Sequence, residues 1–198
     1  MLTLFHQPRT RSSRFIWLLE ELGEPYEIKT VTVRRQDGTG ALDPNNPHPH
    51  GKVPAIKHNE TIVFESSAMV LYLTDAFPKN KIGPAIGEPA RGAYLTMLAY
   101  YCGVLEPAFM SKFMKTEVLR GTAGWVDADE AMAYVLGRLA DGPYLLGDKF
   151  SGADILFAST LGMFLGGALL PKTDTLDAYV KRCTERPAAK RAQEKDSN

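Results

Sequence analysis

The segment Gly51-Lys52-Val53-Pro54-Ala55-Ile56 constrains the fold of this chain most strongly, because it opens a strand with a Val-Pro dipeptide. Proline has no N–H to donate to a sheet, so this position is costly inside a strand. A cis Val53-Pro54 bond makes this position suitable for binding, because it leaves the backbone N–H and C=O of Val53 open to an extended peptide. We therefore predict a cis bond here and a peptide-binding edge at Val53.

Glu65 and Ser66 lie at the predicted start of a helix, directly after the next short apolar run. They supply a carboxylate acceptor, a hydroxyl and the unpaired N–H groups of a helix N-terminus. Together with the Val-Pro segment, they predict a site whose one side suits a peptide backbone. The other side suits an amino-acid head group with both of its charges.

These residues resemble the glutathione-binding half of the cytosolic glutathione S-transferases, and the N-terminal sequence extends the resemblance. It continues through Leu2-Thr3-Leu4-Phe5-His6-Gln7-Pro8, Arg9-Thr10-Arg11-Ser12-Ser13-Arg14 and Trp17-Leu18-Leu19-Glu20-Glu21-Leu22-Gly23. The resemblance implies that Lys52 meets the glycyl carboxylate of glutathione and that Val53 pairs with its cysteinyl backbone. It also implies that Glu65 and Ser66 hold the γ-glutamyl amine and carboxylate, while Pro54 contributes through its cis bond.

The hydrophobic pattern of the first 77 residues predicts the order β-α-β, loop, β-β-α, which is typical of a thioredoxin-like domain. We therefore expect an α+β protein with a thioredoxin-like domain at 1–77, a linker at 78–87 and an all-helical domain at 88–198 that contributes the electrophile site. The predicted elements of the first domain are a strand at 2–6, a helix from Ser12 or Ser13 to Leu22, a strand at 26–33, a hairpin of 53–57 with 61–64, and a helix at 66–77.

The rest of the chain is predicted to be helical. A helix over 94–109 is nearly apolar all round, which indicates either a central position in its domain or contact with another subunit. Further helices are predicted over 123–139, from a Ser151-to-Asp154 capping box to Leu170, over 175–182 and over 187–193. By the family resemblance, we expect a homodimer.

The chemistry that the family resemblance implies is activation of the glutathione thiol. A free thiol with a pKa near ~8.5 is only slightly ionised at pH 7, and the thiolate is the nucleophile. A hydroxyl that donates to sulfur between the first strand and the first helix favours the anion. Thr10 and Ser12 are both candidates, and Ser13 is a weaker third; their loop contains neither Tyr nor Cys. The alternative is that Ser12 and Ser13 only cap the helix and that Thr10 is a loop residue.

The electrophile site is expected on an apolar, Met-rich cluster near the end of the long helix, because such surfaces adapt to varied apolar ligands. The cluster consists of Phe109, Met110, Phe113 and Met114. Simple core packing of these side chains is the alternative.

Composition excludes several classes of partner. Lys plus Arg equals Asp plus Glu at 23 each, so neither nucleic acid nor an anionic membrane is expected as a partner. Cys102 and Cys183 lie in no metal-ligand or CxxC spacing, and the N-terminus has no apolar signal segment, which favours a cytoplasmic protein. His48 and His50 lie beside the expected site without further ligands at metal-binding spacing, so no metal is expected.

Three functions follow from these residues. The first is a glutathione transferase of the bacterial, Ser/Thr-dependent type, which conjugates glutathione to apolar electrophiles in detoxification. The second is a glutathione-dependent peroxidase or disulfide reductase, because the same thiolate serves both reactions. The third is a non-catalytic relative that acts as an interaction module.

Overall fold

The computed structural model of the chain describes residues 1–196, so Ser197 and Asn198, the end of the predicted helical domain, lie outside the described residues. The chain forms two compact units. One contains residues 1–80 together with the described part of 186–198, and the other contains residues 81–185.

The first unit is built on a mixed four-stranded sheet in the order β2-β1-β3-β4. Its strands are β1 (Leu2–His6), β2 (Glu27–Thr30), β3 (Ala55–His58) and β4 (Thr61–Phe64). β1 runs parallel to β2 and antiparallel to β3, and β4 completes the β3 hairpin. The predicted β-α-β, loop, β-β-α order is confirmed. β3 begins at Ala55 and not at Val53, since Pro54 cannot donate to the ladder, and β2 is shorter than the predicted 26–33.

Two helices of this unit follow the predicted pattern closely. α1 (Ser13–Leu22) buries its apolar side, and Gly23 ends it with a φ of 68° that a residue without a Cβ adopts readily. Arg14 is buried in the first turn of α1. α2 (Ser66–Ala76) follows β4 directly and buries Met69, Val70 and Leu73.

The helix α8 (Pro187–Asp196) belongs to the first unit, where it packs on α1. Its buried side chains are the small Ala188, Ala189 and Ala192, which allow the two helices to approach closely. Charged side chains flank this contact: Arg186 makes a bidentate pair with Glu21, at 2.6 and 2.8 Å. The sequence pattern predicted a place for these residues in the helical domain. It did not reveal their contact with α1, because the ion pairs join positions far apart in the chain.

The second unit is helical. Its helices are α3 (Arg91–Tyr100), α4 (Glu106–Met114), α5 (Ala128–Ala140), α6 (Gly152–Phe164) and α7 (Asp174–Thr184). A π-helical segment, Tyr101–Leu105, joins α3 to α4, so the predicted helix over 94–109 is present but contains a wider turn.

Two predicted helix limits in this unit are wrong. α5 begins at Ala128 instead of 123, because the Asp127 carboxylate accepts hydrogen bonds from the N–H groups of Asp129 and Glu130 at 3.0 and 2.8 Å. α6 ends at Phe164 instead of Leu170, since the chain leaves the helix at Leu165 and Gly166 follows with a φ of 80°.

The predicted capping box of α6 is confirmed. The N–H of Ser151 donates to Asp154 Oδ2 at 2.9 Å, and the Ser151 hydroxyl donates to the same oxygen at 3.0 Å. Asp154 Oδ1 also accepts from the Leu145 N–H and the Tyr179 hydroxyl, both at 3.0 Å. Burial raises the pKa of Asp154, although these hydrogen bonds oppose the rise. The buried carboxylate therefore ties α6 to α7 and to the preceding loop.

None of the helices formed by residues 1–196 is long and apolar enough to cross a membrane.

Candidate functional site

The register of the sheet brings the predicted site segments of the first unit to one end of the sheet. Phe5 of β1 pairs with Ala55 of β3, and Ala55 pairs with Phe64 of β4. The loop after β1, the Val53-Pro54 segment before β3 and Glu65 after β4 therefore leave the sheet at the same end. Phe5, Ala55 and Val31 form a small buried core there, and Val53 packs against it.

The loop after β1 brings two of the candidate hydroxyls into contact. The Thr10 Oγ1 and Ser12 Oγ atoms lie 2.8 Å apart. The carbonyl of Gln7 can accept from both hydroxyls, at 2.7 Å from Thr10 and 3.2 Å from Ser12. Thr10 is half-buried, whereas Ser12 is fully buried.

Ser12 occupies the N-cap position of α1, but its hydroxyl does not cap the helix. Its backbone is helical, with φ −73° and ψ −20°, whereas a capping residue is typically extended. The hydroxyl instead lies 2.8 Å from Nδ1 of His6 and accepts from the Gln7 N–H at 3.1 Å. Ser12 therefore faces the interior of the unit. The hydroxyl of Ser13 donates to Asp196 at 2.6 Å, so it too is engaged within the protein.

The segment before β3 has the predicted backbone. The Val53-Pro54 peptide bond is cis, which confirms the expectation from sequence. Pro54 is buried, Val53 is half-buried and Lys52 is exposed. The Asn46 amide donates to the backbone carbonyl of Lys52 at 2.9 Å and so holds this segment from the preceding loop. No sequence pattern marks Asn46 for this role, because its contact depends on how the 37–51 loop folds back.

Glu65 stands between β4 and α2 in an uncommon backbone conformation. Its φ is 68° and its ψ is 122°, values that residues with a Cβ rarely adopt. The Glu65 side chain is exposed and makes no capping hydrogen bond within the described part of the chain. Ser66, the first residue of α2, is half-buried. A helix start offers amide N–H groups that no carbonyl of the helix accepts, so this corner can receive a carboxylate.

His48 lies beside Glu65 in the folded unit. Its ring centroid is 5.0 Å from that of Phe64, and its Nδ1 accepts from the His50 N–H at 3.1 Å. Burial lowers the pKa of His48, and the charge of Glu65 opposes that effect. Residues 1–196 contain no group of three or more His, Cys, Asp or Glu side chains that could hold a metal ion.

The apolar cluster predicted near the end of the long helix divides into a buried and an exposed part. Phe109 is buried, and its ring packs edge-on against Phe164 with centroids 5.6 Å apart. Met110, Phe113 and Met114 are 42%, 57% and 58% exposed. Core packing therefore accounts for Phe109 alone, and the other three form an apolar surface of the helical unit.

Two family models match the chain. The glutathione S-transferase N-terminal domain matches residues 1–75, and the glutathione S-transferase C-terminal domain matches residues 126–187. Both units of the structure therefore contain a matched segment, and the first match includes every residue predicted to bind or activate glutathione.

Curated relatives carry the same family name. The chain is 29% identical over 177 residues to glutathione S-transferase U22 of Arabidopsis thaliana, a match covering 85% of this chain and 78% of that protein. It is 35% identical over 85 residues to glutathione S-transferase 3 of Schizosaccharomyces pombe, where it spans 32% of the relative's length.

Solved structures share the fold over the whole chain. A glutathione transferase from Methylococcus capsulatus has a TM-score of 0.78 at 25% identity, covering 100% of this chain and 99% of that one. A sphingomonad glutathione S-transferase complexed with glutathione has a TM-score of 0.76 at 25% identity, with 98% of each chain covered. The matched domains and the shared fold together show that this chain belongs to the glutathione S-transferase family.

Proposed function

We propose that the protein is a glutathione transferase that binds reduced glutathione at the end of the small sheet and activates its thiol. The observation that carries this proposal is the convergence of Thr10, the cis Val53-Pro54 segment and the start of α2 at one end of the sheet. An extended tripeptide needs a backbone partner, acceptors for its amine and donors for its carboxylates. These segments supply all of them within one unit.

Each predicted binding residue has a defined role in this proposal. Val53 pairs with the cysteinyl backbone, as an added strand does, and the exposed Lys52 meets the glycyl carboxylate. Glu65 accepts from the γ-glutamyl amine, while the Ser66 hydroxyl and the first N–H groups of α2 hold the neighbouring carboxylate. Pro54 gives the segment its cis bond.

Thr10 is the proposed donor to the glutathione sulfur. Ser12 is fully buried among His6, Gln7 and Thr10, whereas Thr10 is half-buried and keeps an accessible side. Lowering the thiol pKa by about two units takes roughly 2.7 kcal/mol. A charge-assisted hydrogen bond together with a helix N-terminus is of that size.

The activated thiolate attacks an apolar electrophile. With an aryl halide, a carbon–sulfur bond forms, the halide leaves with its electron pair and the proton that the thiol lost reaches solvent by the end of the turnover. The exposed Met110, Phe113 and Met114 support an apolar electrophile surface on the helical unit.

We further propose that the protein works as a cytoplasmic homodimer in detoxification. The exposed Leu95 on α3, 40% accessible, supports an apolar contact with a second copy.

Calorimetry with glutathione and a conjugation assay with an aryl halide test the proposal together. We expect binding of one glutathione per chain and glutathione-dependent release of halide. Binding with turnover of peroxides or disulfides alone would favour the redox function. Absence of both binding and turnover would favour the interaction module.

A further inference from the structure

His6 is a buried polar side chain that the proposed function leaves unused. It is the last residue of the central strand β1, and 2% of it is exposed. Its Nδ1 lies 2.8 Å from the Ser12 hydroxyl. Its Nε2 lies 3.2 Å from Oδ1 of Asp196 on α8, but the N–H direction is not aligned on that oxygen. The contact with Asp196 is therefore electrostatic.

These contacts continue to the proposed sulfur donor. Asp196, His6, Ser12 and Thr10 form one polar chain, with 3.2, 2.8 and 2.8 Å between successive members. This polar chain begins at Asp196 on α8, near the C-terminal end of the sequence, and ends at the half-buried Thr10. All four residues belong to the first unit.

The position of the protons on His6 decides the direction of the hydrogen bonds in this polar chain. Each hydroxyl has a single proton to donate. When His6 is neutral and carries its proton on Nε2, its Nδ1 accepts from Ser12. The Thr10 proton then goes to Ser12 or to the Gln7 carbonyl, both inside the loop. When Nδ1 is protonated, it donates to Ser12 and Ser12 can donate to Thr10. The Thr10 proton then goes to the Gln7 carbonyl, at 2.7 Å, or outward to a bound sulfur.

We propose that His6 and Asp196 are positioning residues that turn the Thr10 hydroxyl toward the glutathione sulfur by taking up the thiol proton through Ser12 and Thr10. The S–H bond breaks as Thr10 Oγ1 receives that proton and passes its own to Ser12. Ser12 passes its proton to Nδ1 of His6, where the new N–H bond forms. Each hydroxyl gains and loses one proton, so the products are a thiolate and an imidazolium. This inference rests on the proposed role of Thr10.

Asp196 is placed to favour the imidazolium. Burial lowers the pKa of His6, and the charge of Asp196 opposes that effect. The loop and α1 hold the carboxylate in place, because the Ser13 hydroxyl donates to Oδ1 at 2.6 Å and the Arg9 N–H donates to Oδ2 at 3.4 Å. The elements adjoining His6 also carry the positively charged side chains Arg9, Arg11, Arg14, Lys29 and Lys195. The same elements carry Glu20, Glu21 and Glu194, and it is the charge of Asp196 that offsets the effect of burial on the His6 pKa.

The first test measures the protonation of His6 by nitrogen NMR of the imidazole, with the His6→Asn variant used to assign its signal. Because linkage is reciprocal, a thiolate that is stabilised by the imidazolium must raise the pKa of His6. We expect glutathione to raise the pKa of His6 by about one unit, a tenfold change in the protonation ratio. S-Methylglutathione, which lacks an ionisable thiol, is the matched ligand and should leave the pKa unchanged. Equal effects of the two ligands would overturn the inference.

The second test measures the pKa of the bound thiol from the ultraviolet absorbance of the thiolate. We expect Asp196→Asn and His6→Leu to raise this pKa by about one unit, with the affinity for S-methylglutathione preserved. His6→Asn should raise the thiol pKa as His6→Leu does, because its amide nitrogen can donate to Ser12 but cannot take up the thiol proton; a wild-type thiol pKa in His6→Asn would overturn the proton transfer. Arg191→Gln is the control: it breaks the 2.6 Å ion pair of α8 with Glu20 and leaves the polar chain intact.

Failure of the inference and failure of the proposed function give different results. If Thr10→Val raises the thiol pKa while Asp196→Asn and His6→Leu leave it at the wild-type value, the polar chain has no role and Thr10 keeps its own. If Thr10→Val leaves the thiol pKa unchanged, the role of Thr10 is wrong and the inference falls with it. Circular dichroism of each variant separates either result from loss of the fold.

Discussion

At the scale of single residues, the two candidate hydroxyls separate by burial. Thr10 and Ser12 lie two positions apart, and the sequence pattern favours neither, because one inserted residue in the loop would exchange their roles. The fold distinguishes them by turning Ser12 toward His6 and leaving Thr10 half-buried. That difference depends on the path of the loop after β1, which no local pattern encodes.

Replacing Thr10 with Val should reduce kcat/KM for conjugation by about 100-fold, because a hydroxyl that stabilises developing negative charge is lost without a change of shape. Thr10→Ser keeps the hydroxyl and should retain most of the activity. Steady-state kinetics with an aryl halide measures both variants. Equal activity of Thr10→Val and the wild type would assign the sulfur contact to another donor.

Glu65 shows a second limit of sequence reasoning at the residue scale. Its carboxylate was predicted as an acceptor, but its φ of 68° was not, because that value arises from the sharp passage between β4 and α2. Uncommon backbone conformations of this kind concentrate at ligand-binding positions.

We expect Glu65→Gln to weaken glutathione binding by about 10-fold or more, since a hydrogen bond between two charged groups becomes one with a neutral partner. Isothermal calorimetry gives the dissociation constant. Glu60→Gln is the matched control: it removes an exposed carboxylate from the turn between β3 and β4, at the opposite end of the same strand. Comparable losses in the two variants would indicate a general effect of charge.

At the scale of helices and strands, local signals predicted most of the elements, and contacts distant in sequence set the exceptions. The Ser151-to-Asp154 capping box marked the start of α6 correctly, because its hydrogen bonds join neighbouring residues. The start of α5 was placed five residues early, since Ala123 to Val126 continue a pattern of small and apolar residues that Asp127 interrupts with a cap. The attachment of α8 to α1 rests on pairs such as Arg186 with Glu21, which no local pattern reveals.

The contact between α1 and α8 should weaken in acid. Glu20 is half-buried, which opposes ionisation, yet hydrogen bonds from Lys195, Tyr26 and Arg191 lower its pKa from 4.5 to about 2. Between these two values the unfolded chain binds more protons than the folded one, so the contribution of Glu20 is complete above pH 4.5 and is lost as the pH falls toward 2. We expect the thermal midpoint to fall by several degrees over this window.

The Glu20→Gln variant should start from a lower midpoint and show a shallower fall, as followed by circular dichroism at a series of pH values. Glu117→Gln removes an exposed carboxylate from the loop before α5 and should retain the wild-type slope. Parallel curves for Glu20→Gln and the wild type would contradict this assignment of the acid sensitivity.

At the scale of the whole molecule, the fold class followed from the sequence more securely than the division of the chain. The order of strands and helices along the first 77 residues and the helical second half were predicted from periodicity and are confirmed. The limits 1–77, 78–87 and 88–198 stay a prediction, while residues 186–196 pack with the first unit. Chain position alone cannot reveal a helix that returns to the unit where the chain began.

The proposed homodimer gives a prediction at the same scale. Light scattering after gel filtration should give twice the chain mass of 21.8 kDa. Leu95→Glu should reduce it to a single chain, because a charge in an apolar contact between two copies remains unpaired. Thr96→Glu, a neighbouring exposed position on α3, is the control for charge on this helix. A wild-type mass of one chain would exclude the dimer.

The position of α8 has a consequence for how the protein is made. During translation, the loop with Thr10 leaves the ribosome early, but the carboxylate of Asp196 follows only after residues 81–185 have been synthesised. All four strands precede α8 in the chain, and under the proposed roles the Thr10 hydroxyl lacks the group that orients it until α8 has been made. Under the proposed roles, a chain therefore gains its activated thiol only after α8 has been synthesised.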